Sequence, residues 1–491
     1  MLVRRDLLRL MGLGGLSLAG TPILSGCGGG EDRKPSAQVK PIPNTGPQPL
    51  SCEGEWWVCG AYAPVDEIEA FDLEIEGALP PSLVGQYVRN GPNPSLGTSP
   101  HWFMGDGMVH GVRLEGGKAL WYRARYVQTA QLGGVQQAPP TLKHPANTSV
   151  LWHGGRLLAL AEVGLPYALS AEDLSTVGPH DFSGALAGPM TAHPKVDPET
   201  GELWFFGCDL LGSAVHYFAV DPAGAVTKSE SFPIPAPVFM HDFQLTATRL
   251  VFLDLPLAFD MGVAAAGGGM PFAWAPERGA RIGVVPRSGT GADVKWFEID
   301  PCYVFHTVNA YDDPAEPDDL VLDVVRYPRV GSGVGSGFFE EQGELHRFVI
   351  SPKKNKVSME PRGDLGVELP RIDDRRQGWP HRFSYTVGSS TGAHDPADPA
   401  SWDMIVKTDH KAGTAQARVI SGRRVSEVVF VPDSHAAGED EGWLLGYAYD
   451  AVADRSELLV LDASDVGSGP VGRVRLPGRV PAGFHGMWVP A

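Results

Sequence analysis

Four of the fifteen histidines share a local setting: His193 in TAHPKVD, His241 in FMHDFQLT, His306 in VFHTVNAYDD and His485 in GFHGMWV. Three of them follow an aromatic residue or a methionine, and all lie beside small or polar turn residues. Imidazole suits zinc, copper, iron and nickel. A site of four neutral imidazoles leaves the full charge of the ion in place. With two adjacent positions open, iron(II) in such a site could take dioxygen and hold a substrate beside it. The usual iron oxygenase employs two histidines and a carboxylate, so this would be a variant. The charge then has to be offset by carboxylates that accept the other ring N–H and fix the tautomer. Glu162 in LLALAEVGLP, Glu368 in LGVELPRID and Glu427 in RVSEVVFVP are the candidates. Each stands in an apolar run, where an unpartnered charge is costly. Taken singly, each histidine also reads as a core histidine bonded to a carbonyl, and each glutamate as a member of a salt bridge or a strand edge.

These histidines lie from tens to well over a hundred residues apart, so no single helix or hairpin can gather them. The elements between them are short. Strand-like runs of five to eight residues recur, as in SVLWHGGRLLALAEV, GELWFFGC, AVHYFAVD, RLVFLDLP, ARIGVVPR, DVKWFEID, DDLVLDVVRY, GELHRFVI, GWLLGYAYD and SELLVLDA. VFMHDFQLT is predicted as another short strand, with His241 inside it. No stretch sustains a helical period. The abundance of glycine (61) and proline (43) fits many strands joined by turns. The pattern predicts an all-β chain, either a β-propeller or a very large barrel. Six to eight four-stranded blades of roughly 50–60 residues would fit. A propeller would bring distant residues to its axis. The net charge of −18 argues against a nucleic-acid partner.

The first 26 residues read as an export signal: Arg4-Arg5 before an apolar, glycine-rich run, then the small-residue segment LSGC. The arginine pair is twin-arginine-like, and LSGC is lipobox-like. Cleavage would leave Cys27 as a lipidated first residue. Residues 27–50 form an expected flexible tether and 51–491 a single domain, exported, periplasm-facing and anchored to a bacterial membrane. A bridge between Cys52 and Cys59 suits an oxidising compartment. Cys208 and Cys302 are expected as buried free thiols.

The motifs GALPPSLVGQYVRNGPNP (77–94), HWFMGDGMVHGVRL (101–114), WYRARYVQT, PANTSV, LLALAEVGLPYAL, TAHPKVDPETGEL, FMHDFQLT, FHTVNAYDD, ELPRIDDR, EVVFVPD, GEDEGWLL and PAGFHGMWV, in this order, resemble the carotenoid cleavage oxygenase family. That family includes lignostilbene dioxygenases and the retinal pigment epithelium isomerase, and the resemblance covers about residues 60 to 490. It implies a seven-bladed β-propeller with a loop and helix cap over an axial iron site. One Fe(2+) per chain would be held by His193, His241, His306 and His485. Glu162, Glu368 and Glu427 would serve the last three of these. The implied activity is cleavage of a conjugated carbon–carbon double bond of an apolar carotenoid or apocarotenoid by O₂, giving two carbonyl products. The alternatives are a lignostilbene or phenylpropanoid alkene dioxygenase and, from another class, a non-catalytic propeller that binds a partner. Three positions depart from the family pattern. Met104 stands where many members carry a carboxylate before the GDGM segment, although Asp106 is kept. Asp312 replaces a frequent glutamate. Ala161 stands directly before Glu162, where stilbene-cleaving members resemble one another in carrying a lysine for the substrate phenol; alanine cannot anchor a phenolate.

Overall fold

The computed structural model describes residues 55–491 apart from 131, 133–144, 209–211, 267–269, 332–338, 393–394, 397 and 435–437. Alternating and apolar runs punctuated by Gly and Pro become antiparallel strands. In one hairpin, Ser149–His153 and Arg156–Leu160 pair residue for residue. Gly154 and Gly155 turn the chain between them at φ 57° and 70°, values that glycine alone adopts freely.

Four-stranded groups follow one another along the chain. Ser149–His153, Arg156–Leu160, Tyr167–Leu169 and Thr176–Pro179 form one, and Lys195–Val196, Leu203–Cys208, Ala214–Val220 and Val226–Pro233 the next. Phe243–Leu245, Arg249–Asp254, Ala280–Pro286 and Lys295–Ile299 form a third. A seven-stranded sheet then runs from Tyr303–Asp312 to Thr414–Val419, with the 16-residue strand Lys356–Arg371 in its middle. Early and late strands of the described residues meet. Gly486–Pro490 pairs antiparallel with Gly85–Pro92 in the sheet of Gly107–Glu115 and Lys118–Tyr126. Ile75–Gly77 pairs with Pro470–Arg475 in the sheet of Gly442–Asp450 and Arg455–Asp462.

The core is laid down between sheets. Leu157 and Ala159 pack with Val88 and Val109, while Leu158 and Leu160 on the other face pack with Leu203 and Phe205. Phe206 and Tyr217 join Phe243 and Phe252, and Val251 and Ile282 join Leu322 and Phe348. Tyr385 and Ile405 meet Leu444 and Leu459, and Leu445 and Val460 return to Tyr87 and Val112. Successive residues of one strand thus face different neighbouring sheets, as the two-residue period requires, and the last sheet packs on the first.

The fold is mostly β, as expected. Among the described residues the one α-helix is Met261–Ala266, and no helix is long and apolar enough to cross a membrane. The predicted strand over 238–246 is corrected: only Phe243–Leu245 is strand, and His241 precedes it in a loop. Asp242 accepts the Phe243 N–H at 2.8 Å with its own side chain, so this backbone donor is spent locally, and the ladder begins only at Phe243, opposite Phe252. Cys302 is buried and free as expected, its thiol pushed up to about 11 by burial. Cys208 is only half-buried, because it ends the strand Leu203–Cys208. Cys59 is disulfide-bonded. Its expected partner Cys52 lies outside the described residues, as do the signal segment, Cys27 and the tether.

Candidate metal centre

Each of the four histidines lies on or immediately before a strand at one end of its sheet's order. His193 precedes Lys195–Val196, His241 precedes Phe243–Leu245, and His485 precedes Gly486–Pro490. His306 lies inside Tyr303–Asp312, where the pairing register shifts between Val304 and Thr307. A bulge at that point re-aims a side chain that the regular alternation would have directed elsewhere.

The structure brings all four together. Their ligand atoms lie within 4.8 Å of one another. His193 Nε2 is 3.0 Å from His241 Nε2, and His241 Nε2 is 3.3 Å from His306 Nε2. The ring of His485 is centred 4.6 Å from that of His193 and 4.8 Å from that of His306. Behind three rings stand the three glutamates. Glu368 Oε2 is 2.6 Å from His306 Nδ1, Glu427 Oε1 is 2.9 Å from His485 Nδ1, and Glu162 Oε1 is 2.8 Å from His241 Nδ1. The last pair is close but poorly aligned, and neither atom has a hydrogen bond of good geometry; it is an electrostatic contact.

This donor set fits a cation. A carboxylate favours a ring N–H beside it, so in the three rings backed by a glutamate the proton lies at Nδ1 and a bare lone pair is left at Nε2. Lone pairs facing one another at 3.0 and 3.3 Å repel unless a positive charge sits among them. Two nitrogens each about 2.1 Å from an ion and at right angles would be about 3.0 Å apart. The surrounding charge fits as well. Arg371 Nη1 lies 3.8 Å from Glu427 Oε1. Three carboxylates and one guanidinium leave the shell two charges negative, which a divalent ion cancels. Burial, followed by the neighbouring imidazoles, pushes His193 well below the usual histidine range. Burial takes His485 down to about 4 against the pull of Glu427. At His306 burial is outweighed by Glu368, and the shift is upward. Burial also opposes the charge of Glu368, but His306 and Tyr327 outweigh it and hold the carboxyl below its usual range.

Several residues of the site were not singled out in the sequence. Tyr327 donates to Glu368 Oε1 at 2.7 Å, and the Leu369 N–H donates to Glu368 Oε2 at 2.6 Å. Leu369 has φ 50°, a conformation unusual for a branched residue and held here beside the site. Asp242, next to His241, bonds to Lys195 and Thr307. An aromatic wall adjoins the histidines. Phe305 lies edge-on to His241 at 5.7 Å and 6.2 Å from Phe339; Phe339 is 5.8 Å from Phe103, and Phe103 is 5.5 Å from Phe484, the neighbour of His485. Ala161 is buried beside Glu162. Met104 ends a short 3-10 turn with Trp102. Asp106 accepts from the Ser95 N–H and hydroxyl, and Asp312 ties Thr246 and Thr248; both are loop-packing roles. A second buried group, Asp323, His381 and His410, also brings ligand atoms together. Arg347 already grips both Asp323 oxygens, at 2.8 and 2.7 Å, so that carboxylate's charge is matched.

The family model described as retinal pigment epithelial membrane protein matches residues 62–490. A carotenoid cleavage oxygenase of Mycobacterium tuberculosis is 39% identical over 88% of this chain and 97% of its own. An isoeugenol monooxygenase of Pseudomonas nitroreducens is 32% identical over 86% of this chain and 95% of its own. The crystal structure of a lignostilbene dioxygenase of Pseudomonas brassicacearum superposes with TM-score 0.80 at 32% identity, covering 90% of this chain and all of that one.

Proposed function

The chain belongs to the family of retinal pigment epithelial membrane protein and the carotenoid cleavage oxygenases, and from that premise we propose a substrate class, a ligand set and a cellular place for it. The protein is an Fe(II)-dependent dioxygenase that acts on a conjugated alkene with O₂ and carries a single non-haem iron. The proposed ligands are His193, His241, His306 and His485, at the axis of a seven-bladed propeller. Two features support the seven blades. The core clusters link the sheets in sequence and return to the first, and the seven-stranded sheet divides into two four-stranded blades that share Lys356–Arg371. The observation that carries the ligand set is the convergence of four Nε2 lone pairs backed by three carboxylates.

Iron(II), when bound, supplies the electron density that lets ground-state O₂ react with an alkene. Glu368 and Glu427 keep the Nδ1 protons of His306 and His485 in place and orient those rings, and Glu162 adds its charge beside His241 Nδ1. Arg371 balances Glu427. Phe305, Phe339, Phe103 and Phe484 offer an apolar wall that holds a planar conjugated chain and excludes water beside the histidines. One alkene and one O₂ give two carbonyl products, so no outside reductant is needed.

The proposed substrate is a carotenoid or apocarotenoid. The aromatic wall and Ala161, which offers no anchor for a phenolate, favour a polyene. The second reading, a stilbene or phenylpropanoid alkene, draws on the lignostilbene dioxygenase and the isoeugenol monooxygenase that the chain resembles. Incubating the purified protein with an apocarotenal and with resveratrol, with mass detection of the aldehydes, separates the two. Cleavage of the apocarotenal is expected, and cleavage of resveratrol alone overturns the preference.

The proposed place is the periplasmic side of a bacterial membrane, through the signal at 1–26, a lipidated Cys27 and the tether at 27–50, with the catalytic domain at 51–491. A membrane-anchored enzyme would meet a poorly soluble polyene where it partitions. Wild type should fractionate with membranes lacking residues 1–26, and Cys27→Ser should lose the lipid. Uncleaved wild type in the cytosol overturns this.

A further inference from the structure

Asp242 is 2% exposed, so its charge is settled by protein groups. All its bonds run to segments that carry the histidines. Oδ1 is 2.8 Å from Lys195 Nζ and accepts the Phe243 N–H at 2.8 Å. Oδ2 accepts the Thr307 N–H at 2.9 Å and the Thr307 hydroxyl at 2.6 Å. Lys195 stands two residues after His193, Asp242 directly after His241, and Thr307 directly after His306. One carboxylate thus ties together three segments that belong to three different sheets: the strand start at Lys195, the loop at Asp242 and the strand at Thr307. Thr191 adds a second link between two of them: its hydroxyl oxygen accepts the His193 N–H at 3.1 Å and its O–H donates to the His241 carbonyl at 3.4 Å. His485 is held by other means, through the Thr148 carbonyl and Glu427.

A buried ion pair is a poor way to gain stability, since apolar residues of the same volume do as well. What a buried carboxylate with four directed bonds supplies is geometry: it fixes how far apart its partners stand. The atoms it spaces are those that converge at 3.0 and 3.3 Å in the metal centre. No bond from Asp242 reaches an imidazole ring, so it acts on the rings only through the backbone that carries them.

We propose that Asp242, with Lys195 and Thr307, is a positioning residue that sets the spacing of His193, His241 and His306 and thereby how long the site retains its metal. The proposal rests on the four-histidine reading above. Outer partners of metal ligands commonly contribute 10–100-fold to affinity, and Asp242 joins three ligand segments at once.

Cobalt(II) serves as the probe, because its visible absorption reports ligand geometry and its loss to a chelator can be timed. The full chain, stripped and reloaded, should bind one Co²⁺, and His241→Ala should bind none. Asp242→Asn should still bind one Co²⁺ but with a shifted absorption band and release about ten- to a hundredfold faster. Thr307→Val should speed release, while Thr307→Ser, which keeps the hydroxyl, should restore it to within about twofold of wild type. An Asp242→Asn protein with the wild-type band and release rate, whatever its melting temperature, overturns the positioning role. If that variant does not fold, the Thr307 pair decides: Thr307→Val releasing at the wild-type rate overturns it equally. Failure of wild type to take up Co²⁺, or retention of Co²⁺ by His241→Ala, overturns the four-histidine reading instead.

Discussion

Glu368→Gln removes one charge and almost no volume, so it isolates what the carboxylate does. In the native site Glu368 accepts three bonds: His306 Nδ1–H and the Leu369 N–H at Oε2, both 2.6 Å, and the Tyr327 O–H at Oε1, 2.7 Å. An amide has one acceptor oxygen. If that oxygen faces His306 and Leu369, the NH₂ meets a tyrosine hydroxyl that was donating, and Tyr327 must rotate its proton away into a buried, apolar neighbourhood. If the amide is flipped, its NH₂ faces two donors. Either arrangement strands at least one buried polar group, at a cost of about 1–3 kcal/mol. The shell also falls from two negative charges to one, which weakens its hold on a divalent ion. The combined expectation is a loss of about 10–100-fold in iron affinity, or about 1.4–2.8 kcal/mol. The assay is iron content after dialysis against graded chelator, beside the melting temperature of the metal-free protein. A Glu368→Gln protein that keeps wild-type affinity would refute the reasoning, since charge and bond direction would then be irrelevant to the site.

Tyr327→Phe leaves Glu368 Oε1 without its donor and should lower the stability of the metal-free chain by about 1–3 kcal/mol in urea unfolding; an unchanged midpoint would contradict this. Arg371→Met removes the cation 3.8 Å from Glu427 and should weaken retention of iron, read as lost metal content at equal chelator. His101 and His381 are buried neutral, with burial carrying them down to about 4 and about 3. Their folded values lie below the unfolded value near 6.5, so the unfolded chain binds the extra proton. Their stability contribution is full above about pH 6.5 and falls toward pH 4, by about 1.4 kcal/mol per pH unit for each. Urea midpoints at pH 7, 6 and 5 should therefore decline, and a flat series would contradict the burial argument.

Much of this was legible in the chain. Short apolar runs bounded by turn residues locate strands such as Leu203–Cys208 and Gly442–Asp450, because run length and turn chemistry are local. The glutamates were legible by incongruity: a carboxylate inside LLALAEVGLP or RVSEVVFVP has to have a partner. Which histidine each serves was not legible from spacing, since contacts such as His485 with Glu427 cross 58 residues; the family resemblance supplied that pairing. Residues whose role is to be a partner were missed. Tyr327 reads as an ordinary strand aromatic, and Thr307 as a β-former. Asp242 was in plain view beside His241, but the surrounding apolar run suggested strand, and a strand reading gives the carboxylate no reason to turn inward. The register shift beside His306 has no sequence signal of its own.

The central claim is that this chain cleaves a conjugated alkene by adding dioxygen across it. Turnover of an apocarotenal under ¹⁸O₂, with the carbonyl products trapped as they form and weighed by mass spectrometry, tests it most directly. Label from O₂ in both carbonyl products, lost together with iron in His241→Ala, is the predicted result. Products free of label, or undiminished cleavage by the iron-free variant, would contradict it.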